Sequence, residues 1–148
     1  AAFTVPDVPE LTIDTVDLIL ESVSSSALVN VTILADNSGI PGTALTTTQV
    51  TAPAESLVTA DFSEAPVLLT AGNRYWLYLS AAEPTGRFFW NYSSPAIKGS
   101  LAYHSNTAPA WNISNNVTLP AFRITSVPEP TTILLLGLGG LVLRKRNR

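Results

Sequence analysis

The sequence predicts an all-β protein: an antiparallel β-sandwich, of jelly-roll or immunoglobulin-like kind, followed by one C-terminal transmembrane helix. Short segments that alternate apolar and polar residues recur along residues 1–126, and turns rich in Gly, Pro, Asn and Asp separate them. The 11 prolines of the chain interrupt any long helix in that region. Residues 131–143, in contrast, carry no charge and are rich in leucine, which is typical of a helix in apolar surroundings.

Residues 1–126 are predicted to form one extracytoplasmic β-sandwich domain. They begin with an extended N-terminal arm at residues 1–10, and residues 105–116, rich in Ser, Asn and Pro, are predicted as a long loop. Residues 36–42 are predicted as a turn, because Asp, Asn and Gly tolerate a positive φ. The strands are predicted at residues 16–23, 28–35, 43–51 (an edge or solvent-facing strand), 56–62, 67–70, 75–79 (a central strand), 87–93, 100–104 and 119–126.

Composition and charge exclude several classes of protein. The absence of Cys excludes a disulfide framework and a thiolate metal site. Charged residues make up only 13% of the chain, and residues 1–126 carry a net charge of −6, so we expect neither a coiled coil nor a nucleic-acid-binding surface. A start at Ala1-Ala2 is what a signal peptidase could leave, and it favours export of the chain.

The last part of the chain has the pattern of a short membrane anchor. As a helix, residues 131–143 would be about 20 Å long, shorter than the roughly 30 Å hydrocarbon layer. Long basic side chains after the helix can extend the span by reaching the headgroups, and they favour a cytoplasmic C-terminus. The anchor side chains are Ile133, Leu134, Leu135, Leu136, Leu138, Leu141, Val142 and Leu143. The topology-determining residues in the tail at 144–148 are Arg144, Lys145, Arg146 and Arg148.

Residues 127–130 contain Pro128, Glu129 and Pro130, and they precede the apolar helix and the basic tail. This order and spacing resemble the PEP-CTERM sorting signal. The resemblance implies an exported protein of the cell envelope that is a substrate of an exosortase, a membrane protease-transpeptidase acting near Pro-Glu-Pro. It implies membrane lipid and that enzyme as partners. The domain would lie in the periplasm or outside the cell, or be released to the surface after processing.

Two stretches of the predicted domain carry a second resemblance. Residues 36–42 and, later, residues 69–77 are similar to the domains called choice-of-anchor R. This resemblance implies an extracellular location and architecture and no activity.

We expect no catalytic, cofactor or metal site, and therefore a non-enzymatic role that is structural or one of interaction. His104 is the only histidine, and no Gly-x-Ser-x-Gly nucleophile motif occurs. Asp17 and Glu21 are interpreted as a solvated strand face and not as a catalytic carboxylate pair. The oxygen-bearing residues at 36–39 are interpreted as a plain turn and not as a calcium loop.

The aromatic residues leave two further hypotheses open. Trp76 is expected in the core, whereas Trp111, Tyr103 and His104 are the candidate contacts to a carbohydrate or a partner protein. One alternative function is therefore a carbohydrate- or extracellular-matrix-binding module, which requires exposed, coplanar Trp and Tyr rings. The other is an accessory subunit docked on the periplasmic face of an integral-membrane complex.

Overall fold

The computed structural model describes residues 1–7, 10–23, 27–105 and 108–127, and these ranges are all-β, with antiparallel strand pairing and no helix. The strands are β1 (Ala2–Thr4), β2 (Glu10–Ser22), β3 (Ala27–Asn37), β4 (Ile40–Ala52), β5 (Ser56–Asp61), β6 (Leu68–Thr70), β7 (Arg74–Ala81), β8 (Phe88–Trp90), β9 (Lys98–Ser105), β10 (Ala108–Thr118) and β11 (Phe122–Val127). The all-β prediction is therefore confirmed. Eleven strands lie in these ranges, whereas eight or nine were expected for the domain.

One sheet has four strands in the order β1-β7-β3-β4. Its inner face follows from simple alternation, since Val29, Val31 and Ile33 of β3 are fully buried. The Thr-rich strand β4 lies at an edge and β7 lies inside the sheet, as predicted. The turn between β3 and β4 is confined to Ser38 and Gly39, both with positive φ.

The second sheet is organised around the long strand β2. Along one side β2 pairs with β11 and β8, and along the other with β5 and β6. Val16, Leu18 and Leu20 of β2 point inward, and all three are fully buried. Because the inward side chains of both sheets form one hydrophobic cluster, the two sheets pack as in a β-sandwich.

A hairpin of β9 and β10 forms a third layer over the outer face of the four-stranded sheet. Strand β9 contacts β1 at one edge of that sheet and β10 contacts β4 at the other. Under the hairpin lie Leu34 and Trp76, which are 6% and 1% exposed but do not belong to the cluster between the sheets. Trp76 is thus buried, as expected, but on the outer face.

This hairpin corrects the prediction of a long loop at residues 105–116, because β10 covers most of that range. Two register irregularities, between Ala108 and Asn112 and between Ser114 and Val117, break the alternation that would have revealed a strand. The N-terminal arm also differs from the prediction. Part of it is strand β1, which pairs with β7, and Ala1 is buried at its start.

The predicted anchor at residues 131–143 and the tail at 144–148 lie outside the described residues, and so do Pro128, Glu129 and Pro130. Among the residues that the structure does describe, no helix has the length and apolar character needed to cross a bilayer.

Candidate functional site

The hairpin brings the three predicted contact residues close together in space. Tyr103 and His104 are neighbours on β9, so their side chains point to opposite sides, and Tyr103 is 57% exposed. Trp111 lies on β10, one position before Asn112, the residue that pairs with Tyr103. It belongs to a strand and is half-buried, which corrects its predicted place in an exposed loop.

His104, Trp111 and Tyr78 of β7 form an aromatic cluster between the hairpin and the four-stranded sheet. The ring centroids of His104 and Trp111 are 4.4 Å apart, at an interplanar angle of 88°. Those of Tyr78 and Trp111 are 5.3 Å apart at 89°. A hydrogen bond of 3.0 Å joins Tyr78 Oη and His104 Nε2. These edge-to-face contacts fix the hairpin on the sheet, and they do not form a flat platform of coplanar rings.

A cleft of about 490 Å³ opens beside this cluster. Its walls include Tyr103 and His104 from β9, Phe89 and Trp90 from β8, and Glu83 from the β7–β8 connection. Phe89 and Tyr103, which are 59% and 57% exposed, are both among the residues that line this cleft. This arrangement is typical of a site for a ligand with apolar faces and polar edges.

The floor of the cleft follows the edge of β7. Strand β1 pairs with β7 only from Arg74 to Trp76, so the later residues of β7 have no strand on that side within the described ranges. The amino group of Ala1 lies where this pairing ends and donates a hydrogen bond of 2.7 Å to the carbonyl of Leu77. Burial lowers the pKa of that amino group to about 5.

Two residues that line the cleft, Phe89 and Tyr78, were not singled out from the sequence. The Phe88-Phe89-Trp90 run could have indicated the cleft, because alternation places Phe89 opposite its two neighbours and leaves it exposed. Tyr78 had no such signal, since its contact with His104 depends on how the hairpin folds over the sheet.

The turn predicted at residues 36–39 has a structural role in this fold. Asp36 Oδ2 accepts a hydrogen bond of 2.9 Å from the backbone N–H of Gly39 and so closes the turn. Its other oxygen accepts a hydrogen bond of 2.6 Å from Nε1 of Trp76. The guanidinium of Arg74 lies 4.7 Å from the centroid of the Trp76 ring. Within the described residues, no group of three His, Asp or Glu could hold a metal ion.

Asp17 is not part of a solvated face, which corrects that prediction, whereas Glu21 is exposed. Asp17 is 8% exposed and pairs in register with Thr59 of β5 and Arg123 of β11. Thr59 donates a hydrogen bond of 2.7 Å to Asp17, and Arg123 donates two, of 2.9 Å and 2.6 Å. The bond from Thr59, followed by those from Arg123, holds the pKa of Asp17 below its ordinary value, although burial opposes the shift.

Strand β11 connects this anchored region to the end of the chain. Its last residue is Val127, directly before Pro128. Residues 126–148 match the PEP-CTERM protein-sorting motif. The chain carries a PEP-CTERM sorting signal. No curated protein and no solved structure matches the chain.

The PEP-CTERM signal has two direct consequences. It identifies an exported protein that is targeted to the cell envelope, and it implies processing by an exosortase-type enzyme as a partner. The predicted Pro-Glu-Pro segment, apolar run and basic tail all fall inside the matched residues. The similarity of the domain to choice-of-anchor R domains stays a prediction.

Proposed function

We propose that this chain is a non-enzymatic envelope protein whose β-sandwich head, residues 1–126, has a structural or interaction role outside the inner membrane. In this proposal residues 131–143 hold the head at the membrane until an exosortase acts near Pro-Glu-Pro, with the basic tail on the cytoplasmic side. The observation that carries it is the direct passage of β11 into the PEP-CTERM motif, which places the sorting signal next to the folded head.

The charge pattern supports the proposed orientation. The head carries a net charge of −6, whereas the four basic residues of the tail directly follow an uncharged run. Basic residues next to a membrane segment stay on the cytoplasmic side far more often than on the other side. The acidic head would then be the part that crosses to the outside.

The test is the intact mass of the protein recovered from an envelope that contains an exosortase. We expect a loss of mass that corresponds to cleavage near Pro130. The variant Glu129→Ala/Pro130→Ala should keep the full mass. A matched control is Glu64→Ala/Pro66→Ala, which changes the same residue types in an exposed turn of the head. Full-length wild-type protein in the presence of the enzyme would refute processing.

Carbohydrate binding is the second candidate function, and the cleft beside β9 favours it. Phe89 and Tyr103 are exposed aromatic residues that line the cleft, and His104 and Glu83 are polar residues in the same lining. A pyranose ring needs this combination, since its flat apolar face packs on an aromatic ring and its hydroxyl groups need polar partners. Trp111 would act through His104, whose ring it contacts, and not as a stacking surface itself.

A pull-down with envelope polysaccharide tests this second function. Tyr103→Ala should weaken binding about tenfold, the order expected when one aromatic contact is lost. Tyr92→Ala is the matched control, because Tyr92 is 65% exposed and does not line this cleft. Equal binding by wild type and Tyr103→Ala would refute a sugar site at this position.

A further inference from the structure

Strand β11 is held unevenly along its length. The ring of Phe122 lies 6.3 Å from that of Phe3 and 6.0 Å from that of Trp90. The next residue, Arg123, donates two hydrogen bonds to Asp17, and Ile124 packs against the hydrophobic core. The first half of β11 therefore contributes most of its side-chain contacts to the head.

The last two residues of β11 lack such contacts. The register with β2 shifts between Thr125 and Ser126, a β-bulge that separates Ser126 and Val127 from the regular ladder. After the shift, Ser126 pairs with Ile13 and Val127 with Thr12. Val127 is 49% exposed, and the first two residues of the PEP-CTERM match are Ser126 and Val127.

The residue that follows β11 limits the pairing with β2. Pro128 has no N–H group, so it cannot donate a hydrogen bond that would prolong the ladder. A residue before proline prefers extended backbone, and Val127 therefore keeps an extended shape whether or not it is paired with β2. An edge strand of this kind can exchange one pairing partner for another at low cost.

We infer that Ser126 and Val127 separate from β2 and pair as an extended strand with the processing enzyme, forming the head-side half of the segment that it recognises. This inference rests on the proposed processing near Pro-Glu-Pro. Release of the two residues lengthens the accessible segment by about 7 Å, at roughly 3.3 Å per extended residue. The contacts of Ile124 and Arg123 stop the separation there, so the head stays folded.

Cross-strand cysteines test the inference, because the chain has no native cysteine. Thr12→Cys/Val127→Cys places a pair across the segment that must separate, and Thr15→Cys/Thr125→Cys places a control pair on the other side of the bulge. Both full-length variants are followed in exosortase-containing membranes, oxidised and reduced, with the disulfide verified by mass. We expect oxidation to slow cleavage at least tenfold in the first variant and to leave the control unchanged.

A spacer distinguishes a blocked segment from a damaged head. Insertion of Gly-Ser-Gly-Ser between Val127 and Pro128 should restore cleavage of the oxidised Thr12→Cys/Val127→Cys protein. Equal cleavage of its oxidised and reduced forms would overturn the inference and leave the proposed function intact. No cleavage of wild type would instead refute the proposed function.

If the disulfide does not form, hydrogen exchange at the backbone amides of the wild-type protein tests the inference instead. Ser126 and Val127 should then exchange at least about tenfold faster than Ile124. Equal protection of the three amides would overturn the inference.

Discussion

The pair formed by Asp17 and Arg123 determines how firmly β11 is attached to the head, and its removal is a quantitative test of the structure. Arg123→Met removes two hydrogen bonds to a carboxylate that is 8% exposed. Loss of a hydrogen bond to a charged group lowers the free energy of unfolding by about 1.5–3 kcal/mol when water cannot reach the remaining partner. The Arg123 side chain is 76% exposed, however, so water replaces much of what is lost. We therefore expect the free energy of unfolding to fall by about 1 kcal/mol at pH 7.

The pH dependence of this loss identifies its cause. The pKa of Asp17 is lower in the folded protein than its ordinary value of 3.8, so the carboxylate stabilises the fold above that value. This contribution disappears as the pH falls through the lower, folded pKa, because the carboxyl group is then protonated. Urea unfolding at pH 7 and pH 2 should thus show a larger difference in stability between wild type and Arg123→Met at pH 7 than at pH 2. Arg87→Met, at another exposed arginine, is the control, and an equal loss at both pH values would refute the argument.

Three further predictions concern the stability of the head and are measured by urea or thermal unfolding. Gly99→Ala should destabilise the fold by about 1 kcal/mol or more, because the new Cβ would lie 2.7 Å from Cδ1 of buried Leu119. Adding Leu119→Val should partly restore the stability of Gly99→Ala. An unchanged unfolding midpoint for Gly99→Ala would contradict this close contact between Gly99 and Leu119. Trp76→Phe should cost about 1–3 kcal/mol by removing the bond to Asp36, and an unchanged stability would show that this bond contributes nothing. Recombinant protein with a free amino group at Ala1 should lose stability as the pH falls from 8 to 5, because the buried amine must be neutral; a chain acetylated at Ala1 should lack this dependence.

The strands of the two main sheets were predictable because apolar and polar side chains alternate along parts of them. Val29 and Val31 of β3 have polar or exposed neighbours, so period-two patterning was enough to identify the inner face, although Leu34 beside Ile33 is also buried. The same rule failed for β10, where two register irregularities interrupt the alternation of apolar and polar residues. Sequence periodicity detects a strand only where its pleat is regular.

The environment of single side chains was less predictable than the strands. Asp17 had the pattern of a solvent-facing residue, and its position on the outer face of β2 is consistent with that pattern. Its burial depends on Arg123, which is 106 residues away along the chain. The cluster of His104, Trp111 and Tyr78 likewise depends on the hairpin folding over the sheet, a step that local sequence does not encode. The PEP-CTERM signal was predictable because it is a linear motif.

The position of the sorting signal relative to the core has a consequence for the product of processing. Within the described residues, the last side chain packed against the core is Ile124, and the PEP-CTERM match begins two residues later. Since these core contacts lie before the motif, we expect cleavage near Pro-Glu-Pro to leave them intact. Substitutions within the motif should therefore change processing without changing the unfolding midpoint. Arg123→Met should have the opposite effect and lower the unfolding midpoint without changing processing. Ile124 and Phe122 still hold β11 in that variant, and release of Ser126 and Val127 does not require the Asp17–Arg123 pair to break.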